Sequence, residues 1–281
     1  MSEVLLQKSA KLPDSPLSRF KRRTGLVLAV LALGLCIGLW LTPYQPTQAD
    51  FLNRLAPPEP AHWFGTDHLG RDIGTRLLYG AFWSLGLALV VSLAGLTAGT
   101  LVGLLAARSG SFPDALLMRV TDSFFAFPEL IAAVAFAGLF GPSTVNLVVA
   151  LSLVSWMKFA RLARSLGVTI GKRDFVIQAR LNGLTDWLIL WRHILPNVLP
   201  SLLVLWTSSW SRTILAVSGL SFLGFGVQPP AAEWGAMLLD GKPYMQTAPH
   251  IMIFPGLAVL VSVLAINLAG DRLRDVLAQT R

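Results

Sequence analysis

An all-α integral membrane protein with about six transmembrane helices is the fold class this sequence predicts, on three observations. Hydrophobic residues make up 54% of the 281 residues and charged residues only 14%, against roughly a quarter charged in soluble domains. Mean hydropathy is +0.61. The apolar residues fall in runs close to the roughly 20 needed to cross about 30 Å of hydrocarbon. The one cysteine, Cys36, lies inside such a run and excludes a disulfide framework or a cysteine-based metal site.

Six spans are expected: Gly25 to Leu41, Leu85 to Ala107, Phe124 to Phe140, Val145 to Met157, Leu199 to Leu220 and Ile251 to Ala269. The fourth is short as written and extends toward Pro142 and Arg161. With the N-terminus placed inside, 18 of the 23 Lys and Arg residues fall in inside segments, as lysine and arginine retention on the cytoplasmic side requires. Arg54, Arg71, Arg76 and Lys242 are then outside and Arg212 lies within the fifth span. Both termini are expected to be cytoplasmic. The net charge of +8 reads as a topology signal, with no nucleic-acid partner. The organisation expected is an N-terminal segment 1–24, a first span 25–41, an outside loop 42–84, a core 85–270 with an inside loop at 158–198, and a tail 271–281. The first span reads as a signal anchor, although Thr47-Gln48-Ala49 has the small-residue look of a cleavage site.

Gly95, Gly99 and Gly103 recur at every fourth residue of the second span and predict a close helix–helix contact. The outside loop carries FGTDHLGRD at Phe64 to Asp72. Gly65 and Gly70 have the spacing of a phosphate loop, but Arg71 and Asp72 stand where lysine and a hydroxyl are needed, which excludes a nucleotide site. Ile73 to Tyr79 is expected to form a short amphipathic helix at the interface. His62 and His68 have poor spacing for a metal site, and none is expected. Between the fourth and fifth spans, Leu184 to Leu195 is apolar but interrupted by Asp186, Arg192 and His193. That surface needs a protein cover, either a cytosolic partner or the chain's own helix ends.

Charged residues at membrane depth are costly unless paired or facing water. Arg212, in Ser208-Ser209-Trp210-Ser211-Arg212, is expected either to line a pathway for an anionic ligand or to pair with Glu129 or a partner subunit. Arg119 and Asp122 are spaced to pair on one helix face.

The segment Asp174-Phe175-Val176-Ile177-Gln178-Ala179-Arg180, then Gly183, then His193-Ile194-Leu195-Pro196-Asn197, resembles the EAA loop of binding-protein-dependent ABC transporter permeases. FGTDHLGRD, with Gly65, Thr66, Asp67, Gly70, Arg71 and Asp72, resembles the GTDxxGRD signature of the dipeptide, oligopeptide and nickel branch, in its C-type subunit. Phe222 to Pro230, with Gly224, Gly226 and Pro229, then Glu233-Trp234-Gly235, resembles its SFLGLGVQPP and WG signature. Gly270-Asp271-Arg272-Leu273-Arg274-Asp275 resembles its C-terminal GDALRD. The resemblance covers almost the whole chain. It implies a type I ABC importer permease fold, and a transport subunit with no catalytic or metal residues of its own.

The resemblance further implies a bacterial inner-membrane location, a homologous permease as partner in a heterodimer, two cytosolic ATPase domains that carry ATP and magnesium, and an external solute-binding protein. Coupling to the ATPase would involve Asp174, Ala179, Arg180, Gly183, His193, Leu195 and Pro196; Arg212, Ser208, Ser209 and Glu129 would line the pathway. Ile177 and Gln178 stand where the family usually has Glu and Ala, so a coupling salt bridge is not carried over. The wording is most similar to nickel-type subunits, including those for metal chelates, with di- or oligopeptide import the alternative. An intramembrane enzyme and an ATP-independent transporter or channel are the readings of another class.

Overall fold

The computed structural model describes residues 42–278. The expected first span, 25–41, lies outside the described residues, so four or five spans remain to compare.

After a 3-10 turn at Phe51–Asn53, α1 runs from Ile73 to Arg108. Its 36 residues extend about 54 Å at 1.5 Å per residue, well beyond the bilayer core. The expected interfacial helix Ile73 to Tyr79 is instead its first two turns. Asp72 caps that end, accepting from the Thr75 amide at 2.6 Å, and Ile73, Thr75 and Arg76 are buried there. An amphipathic interfacial helix would leave such polar residues in water, whereas here a folded loop covers them.

The expected third span is broken. Helices α2, Ser111–Phe125, and α3, Glu129–Phe140, meet at an angle of 81°. Pro128 disfavours helical geometry at the residue before it and has no amide proton to continue the ladder. At 12 residues, α3 is about 18 Å long and does not cross alone.

The fourth span is longer than its apolar run. Helices α4, Thr144–Ser155, and α5, Met157–Gly171, join through a helical Trp156 into 28 residues. Beyond them lie α6, Asp174–Leu181, and α7, Asp186–Ile189. A π-helical turn at Leu190–Ile194 then leads straight into α8, Leu195–Phe222. The wider turn accommodates Pro196, whose missing N–H would otherwise interrupt the ladder. Leu184 to Leu195 is therefore partly the base of a 37-residue helix, Asp186–Phe222, rather than a detached docking segment. The described residues end in α9, Trp234–Gly241, a 3-10 turn at Lys242–Tyr244, and α10, His250–Ala278, which enters the expected tail.

Two apolar cores stack along the bundle. One joins α1, α4, α8, α9 and α10 through Ile73, Leu147, Ile214, Trp234 and Ile251. The other joins α1, α5, α6 and the π turn through Leu104, Phe159, Val176, Leu190 and Ile194. The glycine stripe of α1 meets the end of α4 and the start of α5, with Gly95 against Ser155, Gly99 against Phe159 and Ala160, and Gly103 against Ala163. Each lacks a side chain where a methyl group would overlap the neighbouring helix.

Candidate functional site

Three groupings of the expected residues can be located. The first is a cap at the end where α1 begins. Gly65 and Gly70 have φ of +76° and +77°, conformations that glycine adopts without steric cost. The loop between them folds on Asp67, whose Oδ1 accepts from the amides of Leu69 at 2.8 Å and Arg71 at 3.0 Å. Its Oδ2 pairs with Arg71 Nε at 2.7 Å and Arg76 Nε at 3.4 Å. Both arginines also reach Asp240 in α9, at 3.3 and 3.8 Å. His62 Nδ1 and Asp72 Oδ1 are 2.9 Å apart.

The other signatures converge on the same cap. Glu233 caps α9 by accepting from the Ala236 amide at 2.9 Å and also takes the Ser84 hydroxyl of α1 at 2.9 Å. Trp234 Nε1 donates to the Leu77 carbonyl at 3.0 Å. Gly235 lies against Ser218 of α8, and Gly226 against Ser221. Gly224, at φ +88°, ends α8 with the paired hydrogen bonds of a Schellman motif, from Phe225 to Leu220 and from Gly224 to Ser221. Pro229 is exposed in the following turn. The signature residues thus lock α1, α8 and α9 together, a structural role. Among the described residues no cluster of three or more metal-ligating side chains exists.

The second grouping lies at the opposite end. In α6, Asp174 stands in the first turn and Arg180 in the last, each favoured by the helix dipole. Gly183, at φ +82°, completes a second Schellman motif, with Gly183 bonded to Arg180 and Leu184 to Ala179. Val176 and Ala179 are buried against the inner core, while Phe175, Ile177 and Leu181 are exposed. Arg180 pairs with Asp186 at 3.2 Å. Trp187 and Leu188 add exposed surface beside them, with Arg108 stacked over the Trp187 ring. Of the apolar residues expected to need a cover, Leu190 and Ile194 are buried by the chain itself, and Leu195 packs partly against the same core. Leu195 and Pro196 therefore belong to the base of α8; His193 is half-buried, its ring 6.4 Å from that of Phe175.

The third grouping is charged and lies within the spans. Arg212 is exposed, its Nε donating to the Ser208 carbonyl at 3.2 Å. It makes no ion pair with Glu129 among the described residues. Ser208 is half-buried on the same helix face, one turn away. Ser209, three residues before Arg212, is fully buried in the bundle. Asp122 takes Arg161 at 2.6 Å rather than the expected Arg119, and Asp114 takes Arg164 at 2.5 Å, so α2 is tied to α5. The Lys and Arg census places Lys158 in the inside loop. A count of 20 residues from Val145 reaches Arg164, and the length needed to span would have put Lys158 inside the membrane. It lines one cavity together with Glu129, Phe125 and Phe127. Gly270 packs against Thr207, and Asp271 and Arg274 are exposed at the far end of α10.

Comparison with known proteins gives these groupings a context. A family model described as "Binding-protein-dependent transport system inner membrane component" matches residues 99–281. The chain is 42% identical over 259 residues to the nickel transport system permease protein NikC of Escherichia coli K12, covering 92% of this chain and 94% of that one. It is 40% identical over 289 residues to a putative peptide transport system permease protein of Brucella suis, covering 99% and 97%. The glutathione transport system permease protein GsiD of Pectobacterium atrosepticum is 40% identical, with 98% and 93% covered. A solved inward-facing structure of the MetNI methionine ABC transporter shares the fold, with a TM-score of 0.59 at 19% identity over 72% of this chain and 96% of that one. This chain accordingly belongs to the binding-protein-dependent transport system inner membrane components, as a membrane-embedded permease subunit of an ABC importer that is not itself an enzyme and works with ATPase and binding-protein partners.

Proposed function

We propose that this subunit forms half of the translocation pathway for nickel or a metal chelate. A homologous permease would supply the other half as a heterodimer. ATP and magnesium bind on the partner ATPase domains, and both termini are cytoplasmic, which places α6 in the cytosol. The observation that carries the pathway reading is the exposure of Arg212 within a span. An arginine at that depth facing hydrocarbon would cost at least a few kcal/mol, so its face belongs against an aqueous path or a partner. The 42% identity to a nickel permease supports the metal reading. The 40% identity to peptide and glutathione permeases supports di- or oligopeptide import as the second.

Uptake of radioactive nickel, in cells with or without this chain and its neighbouring genes, tests the assignment. Chain-dependent uptake that excess dialanine leaves unchanged is expected; nickel uptake independent of the chain, with dialanine import lost on deletion, would move the assignment to peptides.

The exposed apolar face of α6 supports docking to the ATPase. It is formed by Phe175, Ile177 and Leu181, beside Trp187 and Leu188. Because Leu181 is 81% exposed, Leu181→Asp leaves the fold intact and is expected to cut transport at least tenfold while the assembled complex still hydrolyses ATP. Gly183→Asp acts on the same surface, but through strain at its positive φ. Normal transport in both variants would remove the docking assignment.

A further inference from the structure

Helix α2 carries an apolar edge that the described residues leave uncovered. Phe112, Leu116, Val120 and Phe124 recur at every fourth position and are all exposed, so they follow one side of the helix. The opposite side is occupied: Thr121 is buried, and Asp114 and Asp122 are both committed to arginines of α5. Arg119 is the one cation of the helix. It is exposed, one turn from Leu116 and next to Val120, and makes no ion pair among the described residues.

Two spans set the depth of this helix. On α1 the exposed aromatic residues Tyr79, Phe82 and Trp83 mark the membrane boundary on the cap side, as aromatic belts do. About 20 residues further on, the length that crosses the hydrocarbon, stands Gly103, so the start of α2 at Ser111 lies just beyond the far boundary. On the span Thr144–Gly171 the same length from Val145 reaches Arg164, which pairs with Asp114. Asp122 lies eight residues or about 12 Å along α2, yet its partner Arg161 is only three residues or about 4.5 Å along α5. The two helices therefore cross at about 70°, and both ends of α2 keep to nearly one depth. The turn of 81° into α3 agrees with this.

We infer that α2 lies in the plane of the membrane on the face opposite the cap, its apolar edge among the acyl chains and Arg119 on the phosphate of an anionic phospholipid. The helix is layered as that boundary is. Hydrocarbon takes the apolar edge, phosphate takes the guanidinium on its snorkelling stem, and α5 takes the two acids. A crossing orientation would carry all three charges through hydrocarbon. Because α2 leads through Pro128 into α3, its hold on the lipid surface fixes the point from which the broken span departs. The inference requires only that the spans cross a bilayer, and it is the same for a metal or a peptide passenger.

The test uses the full chain assembled with its partner subunits in nanodiscs of phosphatidylcholine and phosphatidylglycerol. Cys36→Ser removes the native thiol, and a nitroxide is attached at Leu116→Cys or Val120→Cys, with the Cys36→Ser complex as background. Power saturation with oxygen and with chromium oxalate reads the depth of each label. Both labels are expected to favour oxygen, at depths that agree within about 3 Å, whereas four residues of a crossing helix would separate them by about 6 Å. The larger separation would overturn the inference; so would shielding from both reagents, which would mean that a partner chain covers the edge. Phe112→Cys replaces either label whose complex fails to assemble. Native mass spectrometry of the same complexes, without labels, reads the phosphate contact. Arg119→Gln is expected to remove one phosphatidylglycerol from the number retained, and Arg119→Lys to keep it. A number unmoved by Arg119→Gln would mean that Arg119 holds no lipid, and the site would be lost.

Discussion

Gly99→Leu is expected to abolish assembly of the subunit, with the amount of complex recovered from the membrane falling at least tenfold. A Cβ on Gly99 would lie 2.6 Å from the Cβ of Phe159 and 2.9 Å from the backbone nitrogen of Ala160, and closer still to the Trp156 carbonyl. Two of those three atoms are backbone, so no rotamer change relieves the overlap. The helices α1 and α5 must separate. Separation costs dispersion contacts that lipid tails replace only in part, because helix association in a bilayer rests on close packing. Overpacking of this kind costs about 1–3 kcal/mol in adaptable cores, and a contact made by backbone atoms is less adaptable. Gly86→Leu, on the same helix but with nothing within 4 Å of its Cβ direction, is the control and should leave recovery unchanged. Equal recovery of the two variants would show that the stripe is not the packing contact.

That stripe was readable from the sequence because glycine at every fourth residue has a single physical meaning on a helix face. What it could not name was the partner, since the end of α4 and the start of α5 contribute Ser155, Phe159 and Ala160 with no matching glycine run. The third span was misread for a related reason. A hydropathy window counts apolar residues on both sides of Pro128 and is blind to the geometry that proline imposes. Helix α8 shows the reverse: Asp186, Arg192 and His193 argued against a span over Leu184 to Leu195 but not against helix, and one helix runs from Asp186 to Phe222. Similarly, Gly183 and Gly224 were marked only by resemblance, although both do the same local work of closing a helix in a left-handed turn. The charged trio was half legible. Arg212 and Glu129 stood out as charges in apolar runs, whereas Lys158 was masked by the basic residues that follow it.

The signature loop makes the second large prediction, because its charges are buried. Asp67→Asn is expected to destabilise the assembled subunit by about 3–5 kcal/mol, the usual consequence of removing one partner from a buried pair. Arg71 is 4% exposed and Arg76 2% exposed. With Asp67 neutral, only Asp240 remains to face both, at 3.3 and 3.8 Å. The backbone amides of Leu69 and Arg71 would keep their acceptor, so the loss is chiefly one of charge. That separates this variant from Asp67→Ala, which also removes the turn. Thermal unfolding of the purified complex in detergent measures the effect, and the double variant Asp67→Asn with Arg76→Met decides its origin. If the cost is an unpaired guanidinium, removing Arg76 as well should recover part of it, since energies of contacting residues do not add. Additive losses would mean that Arg76 is held by other groups, among them the Pro46 carbonyl that accepts from its Nη1 at 3.0 Å. The cap would then owe its stability to backbone contacts, and the acidic residue of the signature would have to be explained by something it meets outside this chain.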